Sequence, residues 1–473
     1  MSVSIEPNFI DGERVPSGGE QSIAVADPTT EQVIGAVGRS PATDVDAAVR
    51  AAGAAFPGWA ETSRRQRAAV LKRLLDALTD RTDDIARTIT SDVGTPIRVA
   101  TRIQAALPLT DISGYLELLE AGWDDELVGN SLVVREPVGV VAAVTPWNYP
   151  LHQITAKLAP ALAAGATVVL KPSEVAPLVV GHLVAALEEA GVPPGVVNVV
   201  HGTGDGAGEA LVAHPGVDMV SFTGSVPAGR RVAGLAAQTI KKVTLELGGK
   251  SANVLLDDAD LETAVKVGVA NAFLNAGQTC TAWTRMLVPV DRQDEVVDLA
   301  RNAAERFVPG DPSDPGTRLG PLVSAAQRDR VRAHIRTGIA DGARLVTGGA
   351  EPPPGCPTGY FVAPTVFAGV DPRSTIAQEE IFGPVLSIIP CRDEDEALTV
   401  ANDSDYGLHG AVWSADRDRA VAFARRIRTG QVDVNGAAYN PRAPFGGYKR
   451  SGIGRELGRQ GLEEFQETKS IQL

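Results

Sequence analysis

The sequence predicts an α/β protein built on a doubly wound parallel sheet, and three observations carry that prediction. First, short apolar runs alternate with helical patterns between residues 138 and 250: GVVAAV (139–144), TVVL (167–170), VVNVV (196–200), MVSF (219–222) and VTLEL (243–247). Continuous apolar runs of this length suit strands covered by helices on both faces. Second, each run ends in a polar motif: TPWNYP (145–150), KPSE (171–174), HGTGDG (201–206), TGSVPAG (223–229) and a Gly-Gly pair (248–249). Ligands of open α/β sheets bind beyond the carboxyl ends of the strands, so this registry predicts a site there. Third, the alternation resumes after 250, which predicts a second α/β portion: NVLL (253–256) reads as a strand and 261–275 as a helix that delivers Cys280.

Taken in order, FIDGERV (9–15) alternates around Asp-Gly and reads as a small hairpin. Apolar residues at helical spacing over 44–56 and 64–88 predict surface helices packed on a core. SLVVREP (131–137) reads as a short, exposed strand. In the second portion, strands and helices are expected within 285–290, 296–307, 329–340 and 385–390. QVDV (431–434) leads into PFGGYK (444–449), and TKSIQL (468–473) is again strand-like. No internal repeat of 20–50 residues and no low-complexity tract interrupts this order.

A chain of 473 residues exceeds the size of one core, so two or three domains are expected. A formal charge of −14 argues against nucleic acid or an anionic membrane as partner. The three cysteines, Cys280, Cys356 and Cys391, lie far apart and include no CxxC, so neither a disulfide framework nor a zinc site is expected. The N-terminal stretch MSVSIEPNFIDGERV has no basic or apolar leader region, and no run approaches 18 apolar residues. The expected location is cytoplasmic.

Several residues stand where chemistry is possible. Cys280 follows a flexible Gly-Gln-Thr turn; a thiolate there is a strong nucleophile, although a free cysteine is more often a small buried hydrophobe. Glu246 lies in an apolar strand, where partial desolvation raises its pKa and suits it to act as a base; pairing with Lys242 or Lys250 is the structural alternative. Asn148, between prolines, can donate to a developing oxyanion or simply form a turn. Gly224 and Gly229 flank a strand–helix junction at which amides can meet a phosphate, without the GxGxxG spacing. Lys171 and Glu174 offer a cation and a carboxylate past a strand end. Glu174 suits ribose hydroxyls, and an ordinary helix start with Ser173 as cap accounts for the motif equally well.

PWNYP, KPSE, FTGSxxxG, ELGGK, FLNAGQTC, EEIFGPV and PFGGYKRSG occur in this order, and the chain from about Phe9 onward resembles the aldehyde dehydrogenase superfamily. The resemblance implies that Cys280 attacks an aldehyde, that Asn148 and the Cys280 amide hold the oxyanion, and that Glu246 activates water to hydrolyse the thioester. Lys157 and Glu456 match a buried pair that relays protons, or a structural ion pair. NAD is implied as cofactor, with NADP possible. Its implied contacts are Thr145, Pro146 and Trp147; Lys171, Ser173, Glu174 and Gly204; Phe222, Thr223, Gly224, Ser225 and Gly229; Glu246, Leu247 and Gly248; and Glu380 and Phe382. The implied substrate wall comprises Tyr149, Gln153, Ala156, Trp283, Tyr439 and Phe445, with Ala156 leaving extra room and His152 and Gln153 adding polarity. Arg442 is a candidate for an anionic substrate group, with a solvent-facing loop arginine as the alternative.

The resemblance also implies an architecture. A Rossmann-like dinucleotide-binding domain takes 1–118 and 138–247, a catalytic domain takes 248–448, and a small strand arm takes 119–137 and 449–473. Pairing through that arm implies a homodimer or homotetramer. The rival readings are a coenzyme-A-acylating relative, against which Glu246 counts, a non-catalytic descendant, and a Cys–His hydrolase, for which no histidine motif is present.

Overall fold

The computed structural model describes residues 4–473; the first three residues of the N-terminal stretch lie outside it. The apolar runs of 138–250 form the centre of an eight-stranded sheet. Its order is Gly452–Ile453, Lys242–Glu246, Met219–Thr223, Val140–Val144, Thr167–Lys171, Val197–Val199, Asn8–Ile10 and Glu13–Val15. The five central strands are mutually parallel. Side chains of one strand alternate between faces, and Val140–Val144 shows it: Val141 and Ala143 enter one apolar core, while Val140, Ala142 and Val144 enter another. Strand order reverses between Val140–Val144 and Met219–Thr223, because the chain first builds outward on one side and then returns to the other. That reversal leaves a crevice at the carboxyl ends of these two strands.

A second sheet of seven strands runs Arg344–Thr347, Thr365–Ala368, Val385–Cys391, Arg285–Pro289, Ala252–Leu255, Gly410–Trp413 and Asp433–Val434. Only the first pair is antiparallel. A third sheet pairs Gln466–Gln472 with Ser131–Pro137 and Ser131–Pro137 with Glu126–Val128. The hairpin at 9–15 forms as expected, with Asp11 and Gly12 both at positive φ (54° and 82°), as a tight two-residue turn requires.

Some expectations are corrected. The helix expected over 64–88 is two helices, Arg64–Thr79 and Thr82–Val93, the first opened by a Ser63–Gln66 capping box. The helix expected over 261–275 stops at Ala272. Within 449–473, only Gln466–Gln472 joins the small sheet; Gly452–Ile453 pairs with the Glu246 strand, and Leu462 and Phe465 sit in a core of the first sheet. A further three-stranded sheet of Ile5–Glu6, Val33–Gly38 and Ser22–Ala26 has no counterpart in the expectations. Among the described residues, no helix is long and apolar enough to cross a membrane.

Candidate active site

The crevice at the strand reversal opens into a cavity of about 160 Å³. Pro146, Trp147 and Asn148 reach it from the loop after Val140–Val144, and Thr223, Gly224 and Ser225 from the loop after Met219–Thr223. Cys280 reaches it from the second portion of the chain.

The loop carrying Cys280 has an unusual backbone. After Leu261–Ala272, residues Asn275, Ala276 and Gly277 are all left-handed, with φ of 52°, 55° and 74°. Two non-glycine residues in that region cost on the order of 1–3 kcal/mol each. At Gly277 only glycine fits, since a Cβ would stand 2.1 Å from the Gly383 carbonyl oxygen. A buried polar network offsets the strain. Thr95 Oγ1 donates to Asn275 Oδ1 (2.7 Å), and Gln104 Nε2 donates to Thr95 Oγ1 (3.0 Å). Asn275 Nδ2 and Gln104 Nε2 both donate to the Asn148 carbonyl (3.0 and 3.2 Å). Asn148 Nδ2 donates to the Gln278 carbonyl (3.0 Å), and Val323 N donates to Gln278 Oε1 (2.9 Å). At about 1 kcal/mol net for each such bond, the network is of the size needed to hold the turn.

Electrostatics around the cysteine favour the neutral thiol. Burial, then the charges of Glu380 and Glu246, push the Cys280 pKa up. Glu246 ends its strand almost fully buried, and neither carboxyl oxygen has a hydrogen-bond partner among the described residues. Burial, then the charge of Glu456, holds its pKa well above the carboxylate range. The Glu246 carboxyl does not line the cavity; it lies where a Cβ on Gly446 would come within 2.6 Å of Oε1. Lys157 and Glu456 form a buried ion pair, and Lys157 Nζ also donates to Thr223 Oγ1 at 2.7 Å.

Farther along the first sheet, Lys171 Nζ donates to Glu174 Oε2 (2.8 Å) and Gly204 N to Glu174 Oε1 (3.3 Å). The helix-start account of KPSE does not hold, because the next helix begins at Val180; Ser173 instead accepts from Val175 N within a loop. Ser225 caps the helix Val226–Ala236. Gly229 faces Leu247, where a Cβ would lie 2.6 Å from its side chain, so this glycine serves close helix–strand packing. On the opposite wall, Glu380 Oε1 accepts from Gly249 N at 3.0 Å, and burial pushes the Glu380 pKa up to about 7. A Cβ at Gly248 would stand 2.2 Å from Glu380 Oε2. Phe382, left-handed at φ 59°, packs edge-on to Trp147 with ring centroids 5.5 Å apart.

Residues 15–471 match the model of the aldehyde dehydrogenase family. This chain belongs to that family. It is 50% identical to a 3-succinoylsemialdehyde-pyridine dehydrogenase of a Pseudomonas species, over 98% of this chain and 97% of the relative. Among solved structures it is similar to a cysteine-to-alanine mutant of aldehyde dehydrogenase C from Pseudomonas syringae in complex with NAD+ and octanal. That match has 48% identity and a TM-score of 0.98, covering 99% of this chain and 96% of the other. It is also similar to a Mycobacterium tuberculosis aldehyde dehydrogenase complexed with NAD+, with 42% identity, a TM-score of 0.97 and coverage of 100% and 99%.

In this family member, other residues fall inside and outside the cavity. Gln153, Leu247, Gly248, Glu380 and Phe382 line it; Thr145 and Phe222 are buried beside it in sequence but do not. Tyr149 donates or accepts at Thr279 Oγ1 (3.0 Å), and Ala156 is buried in the helix Pro150–Ala164. Tyr439 and Phe445 meet edge to face at 6.5 Å. Trp283 departs from expectation: it lies in the core of the second sheet and donates to His409 Nδ1 (3.1 Å), because the chain after Cys280 turns directly into the strand Arg285–Pro289. Arg442 pairs with Glu117 on the surface (2.8 Å), as its solvent-facing alternative predicts. Two lining residues escape the sequence reading, Gln327 and Arg330. From the helix Ala325–Ala340 they donate to the carbonyls of Phe382 (2.8 Å) and Glu380 (3.0 Å), fixing that wall. Their spacing of three places them on one helix face, but nothing in an amphipathic helix marks that face as a site.

Proposed function

We propose that this aldehyde dehydrogenase oxidises an aldehyde to the carboxylic acid with NAD, through a covalent adduct on Cys280. The observation that carries the reading is the convergence of Cys280, Asn148 and Glu380 on one cavity at the strand reversal. The residues present suit a dinucleotide. The crevice has small residues and a helix N-terminus at Gly224–Ser225, and a carboxylate, Glu174, stands farther along the same sheet. Thr145–Trp147, Phe222–Ser225 and Leu247–Gly248 would flank it, with Ser173, Glu174, Lys171 and Gly204 at its adenosine end and Glu380 and Phe382 at its reactive end.

Cys280 gives up its proton to solvent water and its Sγ, now a thiolate, adds to the carbonyl carbon. The oxygen, now an oxyanion, is held by the Asn148 amide and the Cys280 N–H. NAD, when bound, supplies the acceptor for the hydride leaving that carbon, which leaves a thioester on Cys280. Water then adds to the thioester, Glu246 takes one of its protons, and the C–S bond breaks to release the acid and return Cys280 as a thiolate. Glu246 turns from its place beside Gly446 to do so. Lys157 and Glu456 carry the proton onward. Tyr149, Gln153, Ala156, Tyr439 and Phe445 form the substrate side.

We assign 1–118 with 138–247 to a cofactor domain and 248–448 to a catalytic domain; the eight- and seven-stranded sheets support this division, with Gly452–Ile453 as a return strand to the first. The arm, centred on 126–137 and 466–472, pairs copies into a homodimer or homotetramer; the outward-facing strand Gln466–Gln472 supports this, as an open strand edge invites pairing. A cytoplasmic location agrees with three free thiols. The test is NADH formation from a panel of aldehydes, with and without coenzyme A. Turnover independent of coenzyme A is expected; turnover that requires it would make the protein an acylating enzyme, and none at all would refute the reading.

A further inference from the structure

One polar side chain in the cavity wall has nothing to bind. Gln153, on the helix Pro150–Ala164, lines the cavity with Asn148 and Cys280 and keeps only 7% of its surface exposed. Its Oε1 is buried without a hydrogen-bond partner, and its Nε2 has no acceptor among the described residues. From Asn148 to Lys157 every other polar side chain is engaged. Asn148 donates to the Gln278 carbonyl, Tyr149 meets Thr279, His152 and Thr155 meet Asp111, and Lys157 meets Glu456 and Thr223. A glutamine kept for packing looks different in this structure. Gln278 is also buried, yet its Oε1 accepts from Val323 N (2.9 Å) and its Nε2 donates to the Asn275 carbonyl (3.2 Å). Buried polar atoms are nearly always paired, so an unpaired amide in a cavity wall finds its partner in what enters the cavity.

The rest of the wall offers a substrate substituent little else. Trp147, Leu247 and Phe382 present apolar surface. The charges acting on the Cys280 thiol are those of Glu380, Glu246 and Glu456. Arg330, the one lining cation, donates to the Glu380 carbonyl on the far wall. A neutral amide gives a carboxylate substituent no counter-charge, so an anionic substrate gains nothing from Gln153. A plain aliphatic chain excludes water from the amide and leaves it unpaired, which weakens transition-state binding. A hydroxyl both accepts and donates, so it matches the amide whichever of its ends meets the substrate. The cavity holds only about 160 Å³, which keeps that hydroxyl within a few bonds of the carbon that Cys280 attacks. We propose that Gln153 selects aldehydes carrying a hydroxyl on the second or third carbon over plain aliphatic aldehydes. This rests on the aldehyde-oxidising reading above.

The test compares kcat/KM for butanal, 2-hydroxybutanal, 3-hydroxybutanal and 4-oxobutanoate by NADH formation, in the native enzyme and in Gln153→Met. Methionine keeps the length of the side chain and removes the amide. In the native enzyme the better hydroxyaldehyde should exceed butanal by roughly tenfold or more, the scale of one buried polar group left unpaired. Gln153→Met should move the two substrates in opposite directions, raising kcat/KM for butanal and lowering it for the hydroxyaldehyde. A merely structural role for Gln153 would lower both alike. A native ratio near one, a ratio unmoved by Gln153→Met, or a preference for 4-oxobutanoate overturns the proposal. Should the methionine variant fail to fold, Gln153→Leu takes its place and the native ratio still decides. Turnover of butanal with no preference for a hydroxyl refutes this proposal alone. Inertness toward all four aldehydes refutes the parent reading and this proposal with it.

Discussion

The side-chain amide of Asn148 donates to the carbonyl of Gln278, two residues before Cys280, at 3.0 Å. One hydrogen bond thus joins the carboxyl end of a strand in the first sheet to the nucleophile loop of the second portion. The group proposed to hold the oxyanion also sets where the sulfur stands.

Asn148→Ala should therefore lower kcat by about 10²–10³, the cost of one oxyanion donor. Steady-state kinetics with NAD saturating checks it, and a loss confined to KM would mean the amide only positions the loop.

Cys280→Ala should abolish dehydrogenase turnover and leave NAD binding intact. Calorimetric titration alongside an NADH assay separates the two; residual turnover would remove Cys280 from the nucleophile's role.

Glu246→Gln should slow thioester hydrolysis more than the first hydride transfer, so a burst of NADH should survive in stopped flow. Both Cys280 and Glu246 are held in their protonated forms by burial. Deprotonation supplies the nucleophile and the base, so kcat should rise with pH on the alkaline side of neutral. A rate that falls over that range would contradict these roles.

Glu174→Ala should narrow the preference for NAD over NADP, since the carboxylate held by Lys171 and Gly204 N repels a 2′-phosphate. An unchanged ratio of kcat/KM would misplace the ribose contact.

Gly277→Ala combines a φ of 74° with a backbone clash 2.1 Å from the Gly383 oxygen. Unfolding measurements should show a loss of more than about 1 kcal/mol; a stable, fully active variant would mean the loop yields easily.

Much of this was legible in the sequence because it is local. The strands at 139–144, 167–170, 219–222 and 243–247 are apolar runs, and the motifs at their ends reach the cavity wherever the strand reversal places them. What was not legible depends on distant partners. Ala276 has no intrinsic leaning to the left-handed region and Asn275 only a modest one; Thr95 and Gln104, about 180 residues away in sequence, help to hold the turn there. Trp283 reads as a pocket aromatic until His409 gives its N–H a buried acceptor. Gly452–Ile453 reads with the arm until the Glu246 strand offers an open edge.

The network around Asn275 has a consequence for biogenesis. Its members, Thr95, Gln104, Asn148, Asn275, Gln278 and Val323, are scattered over more than 200 positions. No emerging fragment shorter than that span can assemble the loop, so the sulfur reaches its working position only once both sheets have docked. Until then Cys280 is an exposed thiol with an ordinary pKa; burial in the closed fold pushes that pKa up. Protection of Cys280 from alkylation, followed during refolding, should lag the appearance of the first sheet's secondary structure and so time the moment at which the two halves close.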